Sequence, residues 1–249
     1  MIVLKTSREL ALMREACRIS AGALQVAGEA VRPGISTWEI DKIAYDYIKS
    51  QGAEPNFLNL YGFPATACIS INDEVIHGIP SKKRILQSGD IVSIDLGAKI
   101  GGYNGDNAAT FACGEISEEA KRLIETTRES LYEAIKMAVP GGKIGDIASA
   151  VQTYCESRGY SVVREYTGHG IGKELHEDPS VPNYGTAGRG VRLLPGMTIA
   201  IEPMINQGTA KIKVLPDGWT VKTQDSKLSA HFEHTVAITK DGPVILTRP

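Results

Sequence analysis

A carboxylate stands where an apolar side chain is expected in residues 89–98 (GDIVSIDLGA). Asp95 lies among Ile91, Val92, Ile94 and Leu96, a set of residues typical of a buried strand. Burying an unpaired charge costs free energy, so such a group is either protonated or held by a cation. Asp95 is therefore the first candidate for a functional residue.

Part of the chain repeats. A shift of 107 residues aligns residues 33–52 with residues 140–159 and gives six identities in twenty positions, where roughly one is expected by chance. The same shift, continued without a gap, pairs Asp95 with Glu202. If the two halves are related by a pseudo-two-fold axis, these two acids can converge near it. Chance similarity between helix-plus-strand segments is the alternative explanation.

Three more residues extend this pair into a possible metal site. Asp106 and Glu233 lie on the segments that return after Asp95 and Glu202, and His169 lies in the glycine-rich segment GHGIG, which predicts a turn. Singly, such an acid is an edge or turn residue and such a histidine a core residue. Together, four carboxylates and one neutral imidazole balance two divalent cations, and imidazole favours transition metals over magnesium or calcium.

Two further histidines occupy matched positions. A shift of 99 residues lays VIHGIP over ELHEDP and pairs His77 with His176. The pattern HxxP also suits an ordinary turn. The matched places in the two halves favour a functional role for both residues.

Helical periodicity and capping signals predict the elements that hold these residues. Thr6 with Glu9 and Ser36 with Glu39 form capping-box patterns that open a long and then a shorter helix. Ser117 opens a third, long helix. A fourth helix is expected between residues 144 and 159, so the order of long and short helix occurs twice.

Composition excludes several classes of protein. With 42% hydrophobic and 22% charged residues, the chain is expected to be a soluble globular protein with a substantial core. It has no apolar run of membrane-spanning length and no signal peptide, so a cytoplasmic location is expected. The net charge is −2 and the basic cluster at residues 82–84 is short, which argues against specific nucleic-acid binding. Four scattered cysteines support neither disulfides nor a thiolate zinc site.

The chain resembles the type I methionine aminopeptidases, metal-dependent hydrolases that remove the initiator methionine from new proteins. The resemblance rests on the segments CISINDEVIHGIP, SIDLGA, GYNGDNAATF, YTGHGIGKELHEDPSVPNYG, AIEPMI and DGWTVKTQDSKLSAHFEHT. It implies an α+β pita-bread fold, with helices outside a curved, mainly antiparallel sheet that holds a central dinuclear metal site. It also implies one catalytic domain, residues 1–249, made of two pseudo-symmetric halves at about 1–114 and 115–249.

The resemblance also implies roles for individual residues. The expected ligands of two divalent ions (Co, Mn, Fe or Zn) are Asp95, Asp106, His169, Glu202 and Glu233. In the family a metal-bridging hydroxide attacks the carbonyl after the N-terminal methionine, with Asp106 and Glu233 bridging the metals. By similarity Glu202 shuttles the proton, His176 steadies the oxyanion and His77 contacts the peptide nitrogen beyond the scissile bond.

The substrate pocket is also expected from the resemblance. Phe63, Cys68 and Trp219 match positions that line the family's methionine pocket, together with His77 and His176, although the first three also suit plain core positions. Leu175 can reach the same pocket, and Phe57 and Leu60 stand where relatives often differ. His231 replaces an expected glutamine, on the same strand face as Glu233.

The family implies further partners and leaves alternatives. A monovalent ion (Na⁺ or K⁺) is expected at a site built from backbone carbonyls around Asn72 and Glu74 with Ser229. The expected substrates are the N-terminal peptides of nascent proteins, the ribosome is a candidate partner, and a monomer without membrane association is expected. The alternatives are a prolidase-like or Xaa-Pro aminopeptidase and a metal-free, peptide-binding relative of the same fold.

Overall fold

The fold contains four α-helices, which lie on one side of it. The structure is a computed structural model that describes residues 1–248 of the 249. The helices are α1 (Ser7–Glu29), α2 (Thr37–Ser50), α3 (Glu118–Met137) and α4 (Ile144–Glu156), with a short 3-10 helix at Leu60–Gly62. Within residues 1–248, none of these helices carries an apolar stretch long enough to cross a membrane.

Fifteen strands make up the rest of the regular structure of residues 1–248. They are β1 (Glu54–Pro55), β2 (Ala67–Ile71), β3 (Glu74–Ile76), β4 (Ile91–Ile100), β5 (Tyr103–Ala112), β6 (Ser161–Val162), β7 (Gly168–Gly170), β8 (Glu177–Val181), β9 (Thr198–Ile201), β10 (Met204–Asn206), β11 (Ile212–Val214), β12 (Val221–Thr223), β13 (Ser229–His231), β14 (Glu233–Thr239) and β15 (Gly242–Ile245). The longest pair, β4 and β5, turns through Gly101 and Gly102, both at positive φ as the turn requires.

Strands from both parts of the chain share one antiparallel sheet. Its order is β1-β4-β5-β14-β9-β7-β8, with β2 also paired to β4 and β15 to β14. Two three-stranded sheets, β13-β10-β6 and β11-β12-β3, accompany it. Because β5 pairs with β14, the two repeats meet along one continuous set of backbone hydrogen bonds.

The predicted helix starts are confirmed. Thr6 and Ser36 each accept a hydrogen bond from the backbone N–H three residues later, and the glutamates there bond back to the cap, so both capping boxes are complete. Ser117 caps α3 by accepting from the Ala120 N–H. Helix α4 begins at Ile144 and ends at Glu156, within the expected limits.

The sequence repeat is matched by backbone hydrogen bonds. Gly34 N–H donates to the Leu86 carbonyl at 2.9 Å, and Gly141 N–H, at the position that the repeat pairs with Gly34, donates to the Leu193 carbonyl at 2.8 Å. The isolated bridge between Ser36 and Ile85 has its counterpart between Lys143 and Arg192. Both correspondences follow the same alignment as the sequence repeat. The boundary of the halves near residue 114 remains a prediction.

Each pair of helices covers its own hydrophobic core. Buried residues of α1 and α2 pack with β2 and β4, as Ile19, Ile40 and Ile94 show. Buried residues of α3 and α4 pack with the strands of the second repeat, as Leu131, Ile147 and Ile199 show. The helices therefore cover one face of the sheet in both of its halves. The opposite face is left for the polar residues that the sequence analysis singled out.

The segment around His169 differs from the sequence-based expectation. GHGIG was expected to form a turn, but residues 168–170 are strand β7, paired with β8 and β9. Gly168 and Gly170 do not need positive φ. A Cβ at Gly168 would lie 2.3 Å from the Ala200 carbonyl oxygen, and one at Gly170 would lie 2.1 Å from that of Asp178. Glycine is required here because neighbouring backbones approach so closely.

We expect Gly170→Ala to separate β7 from β8, since its new methyl group would overlap the Asp178 backbone. Overpacking of this kind costs about 1–3 kcal/mol in the free energy of unfolding, measured by urea denaturation. Gly185→Ala is the matched control, because a Cβ there would meet only the Ala148 methyl at 3.3 Å. Equal stabilities of the two variants would contradict this explanation of the glycine.

Candidate metal centre

Strand register brings three acids to one face of the sheet. Asp95 of β4 and Glu233 of β14 are both directly opposite Ala108 of the intervening strand β5. Residues directly opposite each other point to the same side, and so do residues two apart on one strand. Asp106, two residues before Ala108, therefore shares the face of Asp95 and Glu233.

The fourth acid and the histidine come from the second repeat. Glu202 directly follows β9, whose last residue, Ile201, pairs with His234 next to Glu233. His169 lies on β7, the neighbour of β9, and its Nε2 is 3.6 Å from Glu202 Oε1 and 3.8 Å from Asp106 Oδ2. All five predicted ligands thus line one cavity.

Three of these side chains form a compact set of possible ligand atoms. One ligand atom each from Asp106, His169 and Glu233 lies within 4.8 Å of the others. His169 Nδ1 is 2.8 Å from the Gly170 carbonyl oxygen, so Nδ1 carries the proton in the neutral ring. That leaves the lone pair of Nε2 facing the acids, as a metal ligand requires.

Unsatisfied buried oxygens support a cation at this place. Asp95 Oδ1, Asp106 Oδ1 and Glu233 Oε1 are buried and have no hydrogen-bond partner among the described residues. A buried polar atom without a partner costs about 1–3 kcal/mol, and more if it is charged. Carboxylate oxygens and one imidazole nitrogen are suitable donors for divalent transition metals. The residues present therefore fit a divalent cation.

Burial and mutual repulsion shift the pKa values of the acids upward. Desolvation, with repulsion from Glu202, raises the pKa of Asp95 to about 7, and desolvation raises that of Glu202 to about 8. The pKa values of Asp106 and Glu233 lie well above the ordinary range, first through burial and then through the neighbouring carboxylates. Burial lowers the pKa of His169 to about 4. Without a cation, Asp106, Glu202 and Glu233 therefore favour the protonated form at neutral pH, and Asp95 is partly protonated.

His77 and His176 lie at the same cavity. The His176 ring is edge-on to that of His169, with 4.5 Å between centroids. His77 has the strained backbone angle φ 60°, which is rare for a residue other than glycine and fixes the direction of its side chain. Burial lowers the pKa of His77 to about 4 and also lowers that of His176. Both rings are neutral at pH 7.

An apolar wall closes the cavity beside the acids. Phe63 and Trp219 meet edge to face with 5.1 Å between centroids, and Cys68 lies opposite Asp95 on the neighbouring strand. The cavity has a volume of about 140 Å³. The other expected apolar residues also line it, namely Phe57, Leu60 and Leu175.

Two tyrosines near the site were missed by the sequence analysis. Tyr61 lines the cavity and is stacked against His176, with 6.1 Å between centroids and 11° between planes. Tyr166 lies edge-on to His77 at 5.6 Å. Tyr166 begins the segment YTGHGIG, which could have signalled it. Tyr61 is 77% exposed, and no sequence pattern marked it.

The expected monovalent-ion residues are partly brought together. Ser229 N–H donates to the Asn72 carbonyl oxygen at 2.9 Å. The side-chain carboxylate of Glu74 accepts a hydrogen bond from the Ile71 N–H at 2.9 Å and forms an ion pair with Arg84. The backbone of Asn72 is in the left-handed region, with φ 57°.

Comparison with known proteins agrees with this geometry. The family model for metallopeptidase family M24 matches residues 11–240. The chain belongs to metallopeptidase family M24. Use of a divalent metal follows from the family and from the cluster of Asp106, His169 and Glu233.

Individual M24 relatives match along the entire chain. The chain is 53% identical over 247 residues to methionine aminopeptidase of Clostridium acetobutylicum, and the match covers 99% of both chains. It is 53% identical over 248 residues to methionine aminopeptidase 1 of Bacillus subtilis, covering 100% of both. The crystal structure of methionine aminopeptidase from Thermotoga maritima superposes with a TM-score of 0.99 at 44% identity, covering 100% of both chains. The expected pita-bread fold is confirmed.

The raised pKa values predict how stability depends on pH in this M24 protein. Above pH 4.5 the unfolded chain releases carboxyl protons that the folded, metal-free site retains, so stability falls as pH rises. The buried histidines act oppositely, but only below their unfolded pKa of about 6.5. Between pH 6.5 and 8 the carboxylates decide the sign, since the pKa values of Asp95 and Glu202 are about 7 and about 8.

The melting temperature in EDTA should therefore fall from pH 6.5 to pH 8. Added Mn²⁺ should stabilise the protein more at pH 8 than at pH 6.5, because cation binding releases the retained protons. Differential scanning fluorimetry with matched ionic strength measures both effects. A melting temperature in EDTA that is constant over this range would contradict the protonation of the acids.

Proposed function

We propose that this M24 chain is a metal-dependent aminopeptidase that removes the N-terminal methionine of peptides and nascent proteins. The observation that carries the proposal is that the cluster of Asp106, His169 and Glu233 lines the same cavity as the apolar wall. Methionine aminopeptidases that are 53% identical over the full chain support the same activity.

The proposed ligands of two divalent cations are the four acids and the histidine of the cluster, Asp95, Asp106, His169, Glu202 and Glu233. Their unpartnered oxygens and their four potential negative charges support this stoichiometry. When bound, such cations supply an activated water and a Lewis acid for the peptide carbonyl. Co, Mn, Fe and Zn all suit this donor set, and availability decides among them.

The apolar wall is the proposed pocket for the methionine side chain. Phe63, Cys68 and Trp219 present aromatic rings and a thiol to the cavity, and such polarisable groups pack well against a thioether. The cavity places this wall next to Asp95, across the β2-β4 pair. A side chain bound there holds the first peptide bond close to the acids.

Two neutral histidines and one acid are proposed to contact the reacting peptide and to carry its proton. Burial lowers the pKa values of His77 and His176, so at pH 7 each ring is neutral, with one nitrogen that donates and one that accepts. His176 is the proposed donor to the developing oxyanion. His77 is proposed to contact the peptide nitrogen beyond the scissile bond and to accept from its N–H. Glu202, which lines the same cavity, is proposed to take up and return the proton transferred during hydrolysis.

Further features of the proposal concern the surroundings of the enzyme. Asn72, Glu74 and Ser229 are proposed to hold Na⁺ or K⁺, supported by the contact of Ser229 with the Asn72 carbonyl. The ribosome is the proposed source of nascent substrates, and the cytoplasm is the proposed location. A monomer that does not bind nucleic acid specifically is the proposed working form.

The activity is tested with peptides that separate the two peptidase classes. After loading with Mn²⁺, Fe²⁺, Co²⁺ or Zn²⁺, the protein should release methionine from Met-Ala-Ser and leave an Xaa-Pro peptide intact. Chromatography of the released amino acids measures both reactions. Cleavage of the Xaa-Pro peptide alone would replace the proposal by a prolidase-like activity, and inactivity without cation binding would favour a peptide-binding protein.

His176→Ala and His77→Ala test the two proposed histidine roles. His176→Ala should lower kcat/KM for Met-Ala-Ser by about 10²–10³-fold, the usual effect of removing one donor to a transition-state charge. His77→Ala should lower it as well, because a contact with the substrate is lost. Stabilisation by Mn²⁺ should remain, because neither ring belongs to the compact ligand cluster. Full activity in both variants would remove these residues from the mechanism.

A further inference from the structure

His231 is a buried polar side chain to which the proposed function assigns no role. It is 1% exposed, and neither Nδ1 nor Nε2 has a hydrogen-bond partner among the described residues. Buried polar atoms in folded proteins are nearly always satisfied. Both ring nitrogens of His231 are therefore free to bond a neighbouring polar group.

The backbone holds this ring in a fixed position. His231 N–H donates to Thr110 Oγ1 at 2.9 Å, and the same hydroxyl lies 2.9 Å from the His231 carbonyl oxygen. Thr110 Oγ1 is in turn 2.8 Å from Ser93 Oγ. On its other side β13 pairs with β10, with His231 opposite Met204. The ring can therefore move little except by side-chain rotation.

Glu202 lies between two imidazole rings. His169 Nε2 is 3.6 Å from Glu202 Oε1, and His231 Nε2 is 3.7 Å from Glu202 Oε2. Both distances exceed those of hydrogen bonds. The main chain of Glu202 is held by Asn183, whose side-chain N–H donates to its carbonyl at 2.9 Å. Its carboxylate accepts no hydrogen bond from the described residues.

We infer that His231 is a positioning residue that donates its Nε2–H to Glu202 Oε2 and fixes the orientation of that carboxylate for the cation. The inference rests on the proposed function of Glu202. A shift of less than 1 Å converts the 3.7 Å separation into a hydrogen bond of about 2.9 Å. An ionised carboxylate accepts such a bond, and Oε1, the oxygen on the His169 side, stays available as a ligand.

Direct coordination by His231 is the weaker assignment. All five proposed ligands line the cavity, whereas His231 is not among its lining residues. His231 Nε2 lies near Glu202 Oε2, whereas His169 Nε2 lies near the other oxygen, Oε1. The geometry favours a hydrogen bond to the ligand over a bond to the metal.

Three substitutions separate a donor role from simple packing. The amide nitrogen of glutamine reaches the position of Nε2 and that of asparagine the position of Nδ1, whereas leucine donates nothing. His231→Gln should therefore retain near-wild-type activity, and His231→Asn and His231→Leu should not. His231→Leu should lower kcat for Met-Ala-Ser and the affinity for Mn²⁺ by about 10–100-fold, as loss of a partner to a metal ligand usually does, with little change in KM.

His234→Gln is the matched control. His234 is another partly buried histidine three positions along, but its Nδ1 bonds Thr247 Oγ1 at 2.9 Å and its Nε2 lies 3.4 Å from the Tyr132 hydroxyl. It pairs with Ile201, so its side chain lies on the sheet face opposite to that of Glu233. Its replacement should leave kcat and Mn²⁺ affinity unchanged, even if it lowers the melting temperature.

Mn²⁺ titration followed by electron paramagnetic resonance measures affinity without relying on activity. Wild-type kcat and Mn²⁺ affinity in a folded His231→Leu variant would overturn the inference, as would a His231→Gln variant as impaired as His231→Leu. Complete loss of Mn²⁺ binding in His231→Gln would overturn it in favour of direct coordination. Nitrogen-15 NMR of the wild-type protein with Zn²⁺ supplies a check that needs no variant, since an Nδ1–H tautomer of His231 contradicts the proposed donor.

Failure of the proposed function gives a different result. A wild-type protein that binds Mn²⁺ but releases no methionine would contradict the aminopeptidase activity. The order of Mn²⁺ affinities, with wild type and His231→Gln above His231→Asn and His231→Leu, would still decide the role of His231.

Discussion

Four carboxylates share one buried surface of the sheet, and this concentration of charge constrains the rest of the molecule. Ionised together they would carry four negative charges, whereas the formal net charge of the whole chain is −2. Desolvation and mutual repulsion raise their pKa values. Protons or divalent cations must relieve that repulsion. The neutral His169 adds a ligand without adding charge, and the surrounding histidines can donate hydrogen bonds without opposing a cation.

The shared sheet converts distant sequence positions into one site. Asp95 and Glu233 belong to different repeats and are far apart in sequence, yet both lie opposite Ala108. A slip of one residue in either pairing would turn one of the acids to the opposite face. The apolar residues beneath the helices resist such a slip, because Ile94 and Leu96 flank Asp95 and are fully buried on the other side of β4. Packing of the core thus maintains the geometry of the polar face.

The two repeats are alike in backbone and different in chemistry. Asp95 and Glu202 occupy corresponding positions of the sequence repeat, but they have different neighbours. The apolar wall takes Phe63 and Cys68 from the first repeat and Trp219 from the second, whereas the proposed imidazole ligand, His169, comes from the second repeat alone. The repeats thus supply similar backbone frames and converging acids, and they differ in that one ligand.

The sequence alone determined the helices, the repeat and the residues of the cavity other than Tyr61. Capping boxes at Thr6 and Ser36 are local interactions, so their signal lies within a single helical turn, and the family motifs marked the acids and the histidines. The sequence did not predict that residues 168–170 of GHGIG form a strand. Glycine is needed there because the backbone carbonyls of Ala200 and Asp178, on other strands, approach too closely for a side chain. Nor did it predict the stacking of Tyr61 on His176 or the unpartnered ring of His231. Such features depend on which segments meet in space, and only the tertiary structure decides that.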